Sequence, residues 1–141
     1  MNEKTLVIIK PDGLKNCSNI INILYNNDLK VTKFEVKELD KDVLRQHYSH
    51  LLDRPFYGAL EEYMLSAPVA IMVVEGDNAV LKLRELAGKT DSRLAKEGTI
   101  RNLYGTDEMR NAIHTSDSNE SAKEEINRFF PSKTKKLIPN N

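Results

Sequence analysis

Cysteine is nearly absent: Cys17 stands alone in 141 residues, so no internal disulfide can form and no cysteine cluster with metal-ligand spacing exists. Tryptophan is missing, and histidine occurs three times. Charge of one sign is also lacking, since 21 basic residues face 21 acidic ones. Such a balanced field argues against an electrostatic nucleic-acid binder or a polybasic membrane anchor, and it requires that any anionic ligand be held by local groups. No apolar run approaches bilayer length, and Met1 to Lys4 lead straight into "TLVIIKP", too short for a signal-peptide core with its flanks. The expectation is a soluble protein in a reducing, cytoplasmic setting. There the glycosylation-like triplets Asn16-Cys17-Ser18 and Asn119-Glu120-Ser121 carry no weight. Internal repeats and low-complexity tracts are absent as well.

What is present suits one domain with its own core, 40% of the chain being hydrophobic. Leu6 to Ile9 and Val69 to Val74 are continuous, β-branched-rich apolar runs bounded by Pro or Gly, the pattern of strands buried on both faces. Val31 to Leu39 alternates, with Phe34 and Val36 set against Lys33, Glu35 and Lys37, as in a strand with one wet face. Helical periodicity groups Ile20, Ile21, Ile23 and Leu24, then Leu60, Tyr63 and Met64. Asp77 is a candidate cap for a helix carrying Ala79, Val80, Leu83 and Leu86. Asp117 and Glu120 have capping-box spacing ahead of a stripe of Ala122, Ile126, Phe129 and Phe130, which Pro131 ends. From Ala87 to Asp107 periodicity fails, and loops of that length are usually functional. The order matches a ferredoxin-like βαββαβ sandwich of the α+β class: a four-stranded antiparallel sheet with helices covering one face.

Two segments invite chemistry. "GKT" at Gly88 to Thr90 ends like a phosphate-binding P-loop, but that motif requires glycine where Leu83 stands and a strand where a helix is expected. His114 is more promising. A short strand ending near it and a helix starting near Asp117 would set the imidazole beside unpaired backbone N–H groups and a positive helix end, where phosphate is favoured. Glu125, three residues after Ala122 on the flank of the buried stripe, can turn back toward the strand and hold the ring in one tautomer.

Around His114 the chain carries "TLVIIKPDG" with Lys10 at a strand end, "HYSHLLDRPFYGAL" with Tyr48, Arg54, Phe56 and Leu60, "RELAGKTD" with Arg84 and Thr90, and "EGTIRNLYG" with Arg101. Asn111-Ala112-Ile113-His114-Thr115-Ser116-Asp117 follows the pattern N-x-x-H-G/A-S-D. In this order and spacing, from Lys4 to Pro131, the chain resembles the nucleoside diphosphate kinase family. The resemblance implies a domain over residues 1–131 with a tail at 132–141. It implies that His114 takes the γ-phosphate of a nucleoside triphosphate and passes it to a diphosphate in a ping-pong cycle through phosphohistidine.

By the same resemblance Arg54 and Thr90 hold the inner phosphates, while Arg84 and Arg101 neutralise charge on the transferred group. Lys10 and Asn111 reach the ribose hydroxyls, Lys10 also lying near the phosphates, and Tyr48 stands beside the phosphoryl group. Phe56 and Leu60 sandwich the base, which gives a broad substrate range. Ser116 and Glu125 support the histidine from behind. Mg2+ is held by the nucleotide phosphates, with no direct protein ligand. The long loop after Ala87 makes subunit contacts in a homo-hexamer or homo-tetramer and forms one wall of the site.

Departures are visible too. Thr115 replaces the family's Gly or Ala, where a β-branched residue restricts the backbone and crowds the nucleophile. "PDGLKNCSNI" lacks the common Arg-Gly, and Asn102-Leu103 replaces a frequent Gly-Asp. Thr115 motivates an alternative: a nucleotide-binding regulatory module of the same fold with little or no kinase activity. A sheet-based RNA binder of similar architecture lacks both the charge and an aromatic pair on a central strand.

Overall fold

A computed structural model describes residues 2–131; the expected tail, 132–141, lies outside them. The strands are β1 (Asn2–Ile9), β2 (Lys30–Lys37), β3 (Val69–Asp77) and β4 (Ile113–Thr115). They form one antiparallel sheet in the order β2-β3-β1-β4, the ferredoxin-like arrangement. The helices are α1 (Cys17–Asn26), α2 (Lys41–His47), α3 (Tyr57–Leu65), α4 (Ala79–Ala87), α5 (Ile100–Tyr104) and α6 (Asn119–Phe129).

The helices cover both faces of the sheet, not one. Val7 and Ile9 of β1, with Ala70, Met72 and Val74 of β3, pack against Ile20 and Leu24 of α1 and Leu83 of α4. Leu6, Ile8, Val69 and Ile71 point the other way, onto Leu44 of α2, Leu60 and Met64 of α3 and Phe129 of α6. The uninterrupted apolar runs of the two central strands demand this, because alternate side chains leave opposite faces and each needs a partner. β2 departs differently. The register sets Phe34 and Val36 opposite Met72 and Ala70, yet at this outer edge both remain about half exposed, at 49% and 50%. A bulge between Val31 and Lys33 interrupts the pairing there, and the strand stops at Lys37 while Leu39 turns into the core.

Helix starts fall one residue from expectation. Asn78, in the left-handed region at φ 53°, precedes α4 in place of Asp77; asparagine tolerates that conformation better than most residues. Ser118 caps α6, its hydroxyl accepting the Ser121 N–H at 3.0 Å, a neutral cap of the kind worth about 1 kcal/mol. The stretch expected to be irregular holds α5, capped by Thr99, whose hydroxyl accepts from Asn102 N. Gly88 ends α4 at φ 87°, and a Cβ there would lie 2.6 Å from Thr99 Oγ1, so that close approach excludes a side chain.

Candidate active site

The three-residue β4 pairs with β1, setting His114 opposite Ile8 and Thr115 opposite Val7. His114 therefore faces α2, α3 and α6, while Thr115 faces α1 and α4. The β-branched residue sits in extended backbone, which suits it, and on the opposite side of the sheet from the imidazole. The crowding expected of Thr115, and with it the motive for a regulatory module, has no structural basis.

The entry to β4 is fixed by the turn after β1. Lys10 N–H donates to the Ala112 carbonyl at 2.9 Å, and the Asp12 carboxylate accepts the Ala112 N–H at 3.0 Å. Ala112 is held at φ 72°, where a residue with a Cβ is strained by about 1 to 2 kcal/mol. Gly13 permits the contact, since a Cβ there would stand 2.6 Å from the Ala112 oxygen. Tyr63 of α3 completes the lock: its hydroxyl donates to Asp12 in a short hydrogen bond and accepts from Asp12 N–H. Burial, followed by that bond to the carboxylate, raises the Tyr63 hydroxyl.

Behind His114, Nε2 lies 2.9 Å from Glu125 Oε1. An ionised carboxylate only accepts, so Nε2 carries the proton and Nδ1 keeps its lone pair. Burial alone would raise Glu125; the hydrogen bond from His114, the Ser116 hydroxyl donating at 2.7 Å and the Arg128 charge together hold it below the ordinary range. The His114 side chain keeps 18% of its surface exposed.

Cationic and polar groups are buried on the neighbouring segments. Lys10 is buried, and burial first, then Arg101, pushes its ammonium down to about 8 against the pull of Asp12. The Arg101 guanidinium donates to the Gly88 carbonyl at 2.8 Å and the Ile113 carbonyl at 2.9 Å, while its Nε is buried without a partner. Burial lowers it. Asn111 donates to the carbonyls of Thr90 (2.8 Å) and Glu108 (3.1 Å), leaving a buried, unpartnered Oδ1. Tyr48 is buried in the same cluster, its hydroxyl raised by burial and then by Glu125, so it stays a neutral donor. Buried polar atoms left open in this way are acceptable where a polar ligand completes them.

Of the predicted residues, Glu125 bonds to His114 and Ser116 to Glu125, while Lys10 and Arg101 hold the carbonyls of Ala112 and Ile113 just before it and Tyr48 lies close enough to Glu125 and Arg101 to feel their charges. Among the described residues no hydrogen bond or ion pair joins Arg54, Phe56, Leu60, Arg84 or Thr90 to His114, although the Thr90 carbonyl accepts from Asn111. Arg54 and Phe56, on the loop leading into α3, Arg84 on α4 and Thr90 just after it are exposed, and neither Arg54 nor Arg84 forms an ion pair among the described residues. Leu60 is 6% exposed and belongs to the core beside Tyr57 and Met64. A groove of about 1480 Å³, lined among others by Glu3, Phe34, Asn119 and Ile126, contains none of these groups.

Sequence reading missed Asp12, Tyr63, Arg128 and above all His47. The last residue of α2, His47 packs its ring edge-on to His114, with centroids 4.5 Å apart. Burial first, then the neighbouring His114 and the positive charges of Arg128 and Lys10, push it down to about 2. The Pro-Asp-Gly turn was a signal for Asp12; nothing local marked the others.

A tautomer-fixed histidine with its lone pair turned from its carboxylate, amid buried cations on an antiparallel αβ sandwich, defines a phosphotransferase. The family model for nucleoside diphosphate kinase matches residues 3–135. The nucleoside diphosphate kinase of Thermobifida fusca (strain YX) is 42% identical over 131 residues, covering 92% of this chain and 97% of its own. The crystal structure of the Encephalitozoon cuniculi nucleoside diphosphate kinase, in apo form, is similar with a TM-score of 0.89 at 37% identity, covering 93% and 90% of the two chains. A halophilic nucleoside diphosphate kinase from Halobacterium salinarum, in complex with CDP, gives 0.89 at 35% identity over 94% and 90%. The chain belongs to the nucleoside diphosphate kinase family, and its activity is that enzyme's transfer of a γ-phosphate between nucleotides. The family's catalysis uses a divalent cation. No helix among the described residues is long and apolar enough to cross a membrane.

Proposed function

We propose that His114 Nδ1 is the atom that carries the phosphoryl group. The observation behind this is the 2.9 Å contact of Nε2 with Glu125, which leaves Nδ1 as the ring's nucleophilic nitrogen. Its lone pair forms the N–P bond to the γ-phosphorus as the bond to the bridging oxygen breaks, and that electron pair leaves with the nucleoside diphosphate. The Nε2 proton stays in place, and the ring's new positive charge is stabilised by Glu125, held in turn by Ser116. An incoming diphosphate reverses the step. Transfer of this kind leaves the protein chiefly positioning and charge compensation to perform. Lys10 and Arg101 supply the nearest cations, Tyr48 a neutral donor, and Asn111 an open acceptor for a ribose hydroxyl.

Arg54, Arg84 and Thr90 complete the phosphate contacts from exposed positions. Phe56 offers a face for the base, with Leu60 as its apolar support. Mg2+ would be the divalent cation, held by the nucleotide phosphates with no direct protein ligand, and it would supply neutralisation of phosphate charge beside Lys10 and Arg101. The open edge of β2, with Phe34 and Val36 half exposed, supports self-association into a homo-hexamer or homo-tetramer. The working domain is residues 1–131, with 132–141 as its tail, in the cytoplasm. Incubation with γ-labelled ATP and Mg2+ tests the carrier: acid-labile label is expected on the wild type, discharged by GDP and absent from His114→Ala. Label persisting in that variant would move the nucleophile elsewhere.

A further inference from the structure

His47 occupies the space behind the nucleophile at a cost that packing alone does not require. Its ring lies edge-on to Tyr48, His114 and Phe129, with centroids at 4.9, 4.5 and 5.3 Å. Arg128 Nη1 stands 3.1 Å from His47 Nδ1. A guanidinium only donates, so Nδ1 is the bare acceptor and the proton resides on Nε2. That Nε2–H is buried without a partner, an unfavourable arrangement that folded proteins usually avoid. Phenylalanine would fill the same volume without it, but would leave the Arg128 guanidinium unpaired and facing the His114–Glu125 pair. A carboxylate would satisfy Arg128 and compete with Glu125 for the His114 proton. A neutral imidazole alone fills the ring-shaped space, accepts from Arg128 and adds no charge beside a ring that becomes positive on transfer.

His47, His114 and Glu125 also have the composition of a cation site. Their atoms are already committed: His47 Nδ1 to Arg128, and Glu125 Oε1 to both His114 and Ser116. Lys10 and Arg128 act on the same spot, and both oppose a cation there.

We propose that His47, fixed as its Nε2–H tautomer by Arg128, is a positioning residue that holds the His114 imidazole with Nε2 on Glu125 and Nδ1 toward the nucleotide. The proposal rests on His114 being the carrier. Two single variants separate its parts: Arg128→Met keeps the ring and removes the donor, and His47→Phe keeps the ring volume and removes the acceptor. Single-turnover phosphorylation by ATP and Mg2+ is expected to slow at least about tenfold in each, with KM for ATP unchanged within about twofold. Long-range ¹H–¹⁵N spectra of the His114 ring should show one Nε2–H tautomer in the wild type and a mixture in both variants. The double variant should be no slower than the worse single one, because the pair acts as a unit. Arg128 lies on a partly exposed stretch of α6, so its variant remains informative if His47→Phe fails to fold. Wild-type speed in Arg128→Met, a His114 tautomer unchanged in that variant, or losses that multiply in the double variant would each overturn the proposal. A wild type that takes no label on His114 refutes the carrier itself, which distinguishes the two failures.

Discussion

Lys10 is the charge whose burial should be most visible in solution. Only 7% of its surface is exposed, and its ammonium falls from the ordinary 10.5 to about 8. At about 1.4 kcal/mol per pH unit, that fall corresponds to roughly 3 kcal/mol against the charged form in the fold. The folded value lies below the unfolded one, so between them the unfolded chain binds more protons and stability rises with pH. The destabilisation is fully present below about pH 8 and vanishes above about 10.5. Lys10→Met keeps most of the stem and removes the charge. The variant should exceed the wild type by roughly 2 to 3 kcal/mol near neutral pH, the gap shrinking by roughly 2 kcal/mol on going from about pH 7.5 to 9.5. Tyr48 and Tyr63, whose raised hydroxyls weaken the fold only in more alkaline solution, are common to both proteins and cancel in the difference. Urea unfolding followed by circular dichroism across this window measures the gap. Affinity for ATP with Mg2+ should move the opposite way, falling at least about tenfold, since the phosphates lose their nearest buried cation. Calorimetry in buffers of different ionisation enthalpy should show proton uptake on nucleotide binding to the wild type near pH 8.5 or so and none attributable to this group in the variant. A Lys10→Met protein no more stable at neutral pH, or a gap that does not change with pH, would refute the claim that a buried ammonium limits the stability of this fold.

Asp12→Ala removes the acceptor of both Ala112 N–H and Tyr63 hydroxyl; about 2 to 4 kcal/mol of stability should be lost in denaturant titrations, with transfer slowed as the β4 entry relaxes, and unchanged transfer would show that this lock does not position His114. Thr115→Gly should leave turnover unchanged and destabilise by about 1 kcal/mol through a weakened strand; a faster enzyme would restore the crowding explanation. Leu60→Ala should cost about 2 to 4 kcal/mol in thermal or urea unfolding, because the residue is core, and a variant altered only in KM would instead mark it as a wall of the base site.

The central strands were legible because Leu6 to Ile9 and Val69 to Val74 leave no polar residue on either side. The same fact implied cover on both faces, an inference that periodicity along single helices does not make by itself. α5 escaped notice since five residues make little more than one turn, too short for a 3.6-residue repeat to declare itself. At α6 both Asp117 and Ser118 are competent caps, and only backbone geometry selects Ser118. His114, Ser116 and Glu125 lie within one short stretch and were visible together. Arg128 to His47 spans 81 positions and Asp12 to Ala112 spans 100, and no local pattern records partnerships of that reach. Leu60 illustrates the opposite limit: its place on a helix was clear, but whether it faced the interior or a ligand depended on packing.

The tie between the turn after β1 and the entry to β4 has a kinetic consequence. Residues a hundred positions apart must meet before the imidazole acquires its orientation, and that loop closure carries a high entropic barrier. Competence for transfer should therefore emerge late during refolding, after secondary structure has formed. In stopped-flow refolding, far-ultraviolet ellipticity should recover ahead of the ability to accept labelled phosphate.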